Sequence, residues 1–129
     1  MSKRIVISAL VAAFPAMALA GAMPAGNAAK GKTIFGAQCA ACHSVAAGQN
    51  GIGPSLNDVY GDPAANVPGF QFSPALKSAH IVWTAAALDK FLANPQADVP
   101  GTKMPYMGMP NAQKRADVIA YLATVGDKK

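Results

Sequence analysis

Apolar residues recur at helical spacing near both ends of the main part of the chain. Ile34 and Phe35 give an apolar side to a first helix, which the pattern predicts over about residues 29–40. Toward the other end, Asn111 is suited to cap a last helix that stops before Gly126. The apolar positions of this last helix are Val118, Ile119, Tyr121, Leu122 and Val125.

Two shorter helices between them are predicted from their capping residues. Ser73 followed by Pro74 is the order in which helices commonly start, and this helix is expected to reach about residue 78. Thr84 caps another helix, which ends at Pro95. The apolar positions of that helix are Leu88, Phe91 and Leu92. Because no segment alternates apolar and polar residues as a strand would, the predicted fold class is all-α, with about four to five helices.

Two long segments, residues 44–71 and 100–110, are rich in glycine and proline and predict loops. Loops of this length are uncommon in a compact domain unless they have a function. We therefore expect them to wrap around a cofactor.

Residues 1–20 have the pattern of a secretory signal peptide. Lys3 and Arg4 precede an apolar run over 5–14, and the small residues Ala18 and Ala20 offer a cleavage site before Gly21. The run is shorter than the roughly 20 residues of a membrane-spanning helix. We therefore predict export to the periplasm by a bacterial route, with an uncleaved anchor as the alternative.

The remaining chain is predicted to form a flexible segment over 21–28 and one domain over 29–129. Much of the 52% hydrophobic content is alanine, so a large apolar cofactor at the centre is plausible. Without residues 1–20 the chain keeps 9 basic and 6 acidic residues, a net charge of +3. Since this charge is mild and no basic run occurs, nucleic acid is not an expected partner.

The strongest chemical signal is the string Cys39-Ala40-Ala41-Cys42-His43. C-x-x-C-H is the attachment signature of c-type haem. Two thiols one helical turn apart can add to the two vinyl groups of a porphyrin, and the adjacent histidine then reaches the iron.

Other chemistry for this cysteine pair fits less well. A thioredoxin-type pair expects a preceding strand in a βαβ unit, and a zinc site needs more ligands than His80, the only other histidine. A structural disulfide leaves His43 unexplained.

A second axial ligand decides between electron transfer and ligand chemistry. A methionine thioether favours ferrous iron and blocks small molecules. The candidates downstream of the signal are Met23, Met104, Met107 and Met109. Met104 ranks first because Pro100, Gly101 and Pro105 restrict the backbone around it.

With these motifs the chain resembles the class I cytochromes c, of the mitochondrial type and the small soluble bacterial type. The matching strings run in order over about Gly31 to Leu122: Gly31-Lys32-Thr33-Ile34-Phe35, Cys39 to His43, Gly53-Pro54-Ser55-Leu56, Pro68-Gly69-Phe70, Trp83, Asn94-Pro95, Pro100-Gly101-Thr102-Lys103-Met104 and Ala120-Tyr121-Leu122. The resemblance implies a cytochrome c fold around one haem c, attached through Cys39 and Cys42. It also implies that the first and last helices cross at Gly31, Phe35, Val118 and Tyr121.

The resemblance further implies roles for five residues. His43 and Met104 are implied to be the axial ligands, and the Pro54 carbonyl to accept a hydrogen bond from the His43 ring. Trp83 is implied to bind a haem propionate, and Thr102 to contact the propionate region.

The sequence departs from the family at several positions. Phe91 and Phe72 stand where tyrosines are usual, and Asp62 where an arginine is usual. We expect Asp62 alone to favour oxidised iron, whereas the loss of polarity could oppose it. His80 is interpreted as an exposed loop residue, with reserve iron ligation as the alternative.

The ring of lysines around the haem edge is also thin. Positions where the family often has a basic residue hold Gln38, Gln96, Pro110 and Asn111. Lys32, Lys103 and Lys114 remain as candidates for that face, and Tyr106 is expected to pack against the haem edge. Docking should therefore depend weakly on salt.

The predicted function is that of a soluble, monomeric electron carrier rather than an enzyme. Expected donors are a quinol–cytochrome c reductase or a dehydrogenase, and expected acceptors a terminal oxidase or another reductase. The alternatives are a haem enzyme or gas-binding sensor with a labile sixth ligand, and a docked subunit of a larger dehydrogenase.

Overall fold

The computed structural model of the protein describes residues 21–128, and within them the chain forms five helices. These are α1 (Ala28–Gln38), α2 (Pro74–Ser78), α3 (Ala85–Ala93), α4 (Pro95–Asp98) and α5 (Ala112–Leu122). This part of the chain contains no strand, only one isolated antiparallel bridge between Pro63 and Val82. The all-α prediction is confirmed. The predicted signal peptide over 1–20 lies outside the described residues.

Each helix begins with a side-chain oxygen that accepts a hydrogen bond from a backbone N–H three residues later. The capping residues are Asn27, Ser73, Thr84, Asn94 and Asn111. Such caps satisfy backbone donors that the first helical turn leaves unpaired. The predicted caps of α2, α3 and α5 are confirmed, while α1 begins one residue before its predicted start.

Helix α4 is not predicted from the sequence, because Asn94-Pro95 indicates only the end of the preceding helix. Asn94 ends α3 and at the same time caps α4, since its side chain accepts from the N–H of Ala97. Pro95 then occupies the first turn of α4, where its missing N–H costs nothing. The end of α3 and the start of α4 therefore share the dipeptide Asn94-Pro95.

Helices α1 and α5 pack at very close range. A Cβ atom on Gly31 would overlap the backbone carbonyl of Asp117 and lie 2.9 Å from Cβ of Tyr121. Next to this point the rings of Phe35 and Tyr121 have their centroids 5.4 Å apart. The crossing implied by the resemblance is therefore present, and glycine permits the close approach.

Part of the segment before α1 also contacts α5. The backbone N–H of Asn27 donates to the carboxylate of Asp117 at 2.8 Å, and Nε2 of Gln113 donates to the Ala25 carbonyl at 2.8 Å. That residues 21–28 are flexible stays a prediction. The contacts of Ala25 and Asn27 with α5 lie toward the C-terminal end of this segment.

The loop that precedes α2 is fixed by hydrogen bonds from its own side chains. Ser55 donates through Oγ to the Ala46 carbonyl at 2.6 Å and through its backbone N–H to Asn50 at 2.9 Å. Asn50 in turn donates to the Pro68 carbonyl at 3.0 Å. Asparagine and serine thus supply partners that a helix or sheet would otherwise provide.

The buried core lies between α3, α5 and the segments next to them. Its members are Phe35, Trp83, Leu88, Phe91, Leu92, Val99, Met109, Val118, Ile119 and Leu122. None of the helices within residues 21–128 has the length and apolar character needed to cross a membrane.

Candidate haem site

A cavity of about 350 Å³ opens beside the core. This volume is in the range of small-molecule and cofactor sites, roughly 300–1,000 Å³. The structure brings all the predicted site residues to its walls: Cys39, Cys42, His43, Pro54, Trp83, Thr102 and Met104. Most of the other wall residues are apolar, including Phe72 and Phe91, the two positions at which tyrosine was expected.

The two thiols lie where the chain turns away from α1. Cys39 ends the helix, and its carbonyl accepts hydrogen bonds from the N–H groups of both Cys42 and His43 at 3.0 Å. Both cysteines are free and half-buried. Burial, and secondarily the neighbouring Cys42, raises the pKa of the Cys39 thiol. A thioredoxin-type nucleophile needs a lowered pKa, so the site does not favour that chemistry.

The His43 ring is held in one orientation from two sides. Its Nδ1 lies 2.7 Å from the Pro54 carbonyl oxygen, which can only accept a hydrogen bond. Nδ1 therefore carries the proton, and Nε2 keeps a lone pair for a metal. Gly53 lies against the ring, since a Cβ atom there would be 2.7 Å from Nδ1. The contact with Pro54 is the one that the resemblance implied.

Among the four candidate methionines, Met104 alone lines the cavity. Met109 is buried in the core at 2% exposure, and Met107 is 91% exposed. Met23 packs against the edge of the core. Of these four methionines, only Met104 is therefore placed to bind a group in the cavity.

The loop that carries Met104 is held by a glutamine that sequence reasoning did not assign to the site. Nε2 of Gln96 lies 3.0 Å from the carbonyl oxygen of Met104 and 3.3 Å from that of Thr102. The buried Thr102 hydroxyl accepts from the Met104 N–H at 3.4 Å. Gln96 lies on α4, the helix that the sequence did not reveal, so no local signal pointed to this role.

Trp83 forms a buried part of the wall. Its ring packs on Phe91 with a centroid distance of 5.0 Å, and its backbone N–H donates to the Asp62 carbonyl at 2.9 Å. The bond between the backbones of Trp83 and Asp62 places both residues on the same side of the cavity.

Tyr106 connects two sides of the cavity rim. Its hydroxyl donates to Oε1 of Gln38 at 2.6 Å, which ties the end of α1 to the loop after Met104. Burial, and secondarily Cys39, raises the pKa of this phenol.

Within residues 21–128 no three His, Cys, Asp or Glu side chains are grouped so as to hold a metal ion. A structural zinc site uses four such ligands, so the cysteine pair lacks the partners for it. His80 is exposed and does not line the cavity.

The chain is similar to known proteins over most of its length. A family model described as cytochrome c matches residues 28–126. The chain is 49% identical over 106 residues to a cytochrome c2 of Rhodomicrobium vannielii, which covers 81% of this chain and 84% of that protein. It is 46% identical over 105 residues to a cytochrome c2 of Rhodopila globiformis, covering 81% of this chain and 99% of that protein.

A solved structure, cytochrome cH from Methylobacterium extorquens, superimposes with a TM-score of 0.73 at 43% identity and covers 77% of this chain and 99% of that one. The walls of the cavity fit haem c, because they combine two thiols, an imidazole with a free Nε2, a thioether and apolar side chains. The chain belongs to the cytochrome c family.

Proposed function

We propose that this protein holds one haem c through thioether bonds from Cys39 and Cys42 and carries single electrons between other redox proteins. The observation that carries the proposal is that both thiols, His43 and Met104 line one apolar cavity. The similarity to proteins named cytochrome c2 supports the same function.

When bound, the haem supplies an iron that alternates between the ferric and ferrous states. His43 is the proposed ligand through Nε2, and the hydrogen bond between Nδ1 and the Pro54 carbonyl orients the ring and makes Nε2 a stronger electron donor. Met104 is the proposed second ligand, whose soft sulfur favours the ferrous state and closes the remaining position to small molecules.

The other residues of the cavity wall exclude water from the cavity and keep the wall rigid. Phe72, Leu88 and Phe91 are buried apolar residues that exclude water from the cavity. Trp83 and Thr102 are the proposed partners of the propionate groups. Because the wall is fixed by packing and hydrogen bonds, it need not rearrange when the iron changes charge.

A carrier needs no catalytic base or substrate site, and we propose that the protein is not an enzyme. We propose as partners a quinol–cytochrome c reductase or dehydrogenase on the donor side and a terminal oxidase or reductase on the acceptor side. The protein is proposed to act as a monomer in the periplasm after cleavage of residues 1–20, without stable membrane insertion.

The test uses the exported protein and two methionine variants. Mass spectrometry should show one covalent haem, and a pyridine haemochrome spectrum should show saturated vinyl groups. Met104→Ala should change the visible spectrum and let carbon monoxide bind the reduced protein. Met107→Ala is the matched control, because this methionine is 91% exposed, and it should change neither.

Two results would contradict the proposal. One is an exported polypeptide without haem. The other is ready binding of carbon monoxide by the wild-type reduced protein at neutral pH, which would favour a haem enzyme or gas sensor instead.

A further inference from the structure

The C-terminal tail, residues 126–128, follows a defined course after α5. The carboxylate of Asp58 accepts hydrogen bonds from the backbone N–H of Lys128 at 3.0 Å and of Asp127 at 3.2 Å. Gly126 has φ +117°, and a Cβ atom there would overlap the Asp58 carboxylate. The tail therefore turns back against Asp58 at a position that only glycine fits.

This course delivers the Lys128 ammonium to a second carboxylate. Nζ of Lys128 lies 2.9 and 3.1 Å from the two carboxylate oxygens of Asp62. The hydrogen bond to Asp62, with added attraction from both Asp62 and Asp58, raises the pKa of Lys128. Lys128 is thus fully charged at neutral pH.

Asp62 is itself fixed at the wall of the cavity. Its backbone carbonyl accepts from Trp83 and its N–H donates to the Val59 carbonyl at 3.1 Å. A carboxylate beside an iron that gains positive charge on oxidation favours the ferric state. The sequence indicates no partner for Asp62, whereas in the structure the Lys128 ammonium lies against its carboxylate.

We propose that Lys128 is a positioning residue that neutralises Asp62 at the cavity wall and thereby keeps the reduction potential of the haem from falling. The proposal rests on the proposed function, since it needs haem in the cavity. Asp58 holds the tail, the tail places Lys128, and Lys128 offsets the Asp62 charge. A freely moving lysine would be screened by solvent and would have a smaller effect.

The experiment measures the midpoint potential of the holoprotein in a double-mutant cycle. Lys128→Ala should lower the potential, shifting the electron-exchange equilibrium with a fixed mediator about two- to fivefold toward the oxidised protein, as for a partly exposed charge pair. In the Asp62→Asn background the same substitution should have less than half of this effect, because no Asp62 charge remains for Lys128 to offset. Lys128→Arg should retain the wild-type value.

The matched control is Lys90→Ala. Lys90 also forms an ion pair, at 2.8 Å from Asp98, but neither residue lines the cavity. Lys90→Ala should shift the midpoint potential by less than about a tenth of the shift that Lys128→Ala causes, since this ion pair lies away from the cavity. Raising the ionic strength should shrink the Lys128 effect, since the pair is partly exposed.

The outcomes separate this proposal from the proposed function. Absence of a reversible one-electron couple in the wild type would overturn the proposed function. A normal couple that Lys128→Ala leaves unchanged, or shifts equally in both backgrounds, would overturn the role of Lys128 alone.

Discussion

Two glycines on the same helix should respond in opposite directions to the same substitution. Gly31 and Gly36 both lie in α1, but only Gly31 is buried against α5. A Cβ atom on Gly36 meets nothing within 4 Å, whereas one on Gly31 overlaps the carbonyl of Asp117. The obstructing atoms are backbone, which cannot rotate away, together with Cβ of Tyr121 at 2.9 Å.

The magnitudes follow from two opposing terms. Replacing glycine by alanine inside a helix stabilises it by up to about 1 kcal/mol. Overpacking that forces a backbone shift costs about 1–3 kcal/mol, and a backbone obstruction belongs at the upper end. We therefore expect Gly31→Ala to lower the free energy of unfolding by about 2 kcal/mol. Gly36→Ala should raise it by about 0.5 kcal/mol, less than at a mid-helix position, because Gly36 lies in the last turn of the helix.

The assay is urea unfolding of the two holoproteins and the wild type, followed by far-ultraviolet circular dichroism. The slopes against urea should agree, so that the midpoints report stability. Equal changes in the two variants, or a stabilised Gly31→Ala, would refute the reasoning, since α5 would then not lie against Gly31 in solution.

Three further predictions concern the site and its supports. Gln96→Leu should raise the affinity of ferric protein for imidazole about two- to fivefold, because opening the Met104 loop no longer breaks the two hydrogen bonds from Gln96. Gly53→Ala should destabilise the holoprotein by about 1–3 kcal/mol, as its Cβ displaces the His43 ring, measured by urea unfolding. In the wild type the free energy of unfolding should decrease as the pH falls below about 4, and in Asp117→Asn this decrease should be smaller. The measurement is the free energy of unfolding as a function of pH.

The sign of the acid effect follows from the Asp117 partners. The hydrogen bond from the Asn27 backbone, then that from Gln113, lowers the pKa of this carboxyl in the folded state. The unfolded chain therefore takes up the proton first as pH falls, so the stabilisation is present above the unfolded pKa and lost through the folded one. A variant with the acid dependence of the wild type would contradict this assignment.

Gln113→Leu serves as the control for Gln96→Leu. Nε2 of Gln113 also donates to a backbone carbonyl, that of Ala25, but away from the cavity. It should lower overall stability without raising imidazole affinity. Equal affinity changes in both variants would show that the Gln96 effect is not local to the Met104 loop.

The helices that could be predicted from the sequence are those with local signals. Ser73, Thr84 and Asn111 cap α2, α3 and α5 as expected, because a cap is a contact between residues three apart. Helix α4 escaped prediction because a single turn is too short to show apolar periodicity.

The same distinction holds for the site. Cys39, Cys42 and His43 come from one short string, so their position in one cavity wall could be foreseen. The bonds between Tyr106 and Gln38, 68 residues apart, and between Lys128 and Asp62, 66 residues apart, have no local signature. Such pairs depend on how distant loops meet, which single-sequence patterns do not report.

The parts of the cavity wall that carry His43 and Met104 are held with unequal strength. On the side of His43, a backbone bond joins Gly53 to Cys42 at 2.8 Å and the ring bond to Pro54 is 2.7 Å. On the side of Met104, the loop depends on a 3.4 Å contact to Thr102 and on two side-chain bonds from Gln96, one part-buried and one exposed. Since local opening begins where hydrogen bonds are few and exposed, the Met104 side should yield first. The glutamine on α4 therefore has more influence over the closed site than its surface position suggests.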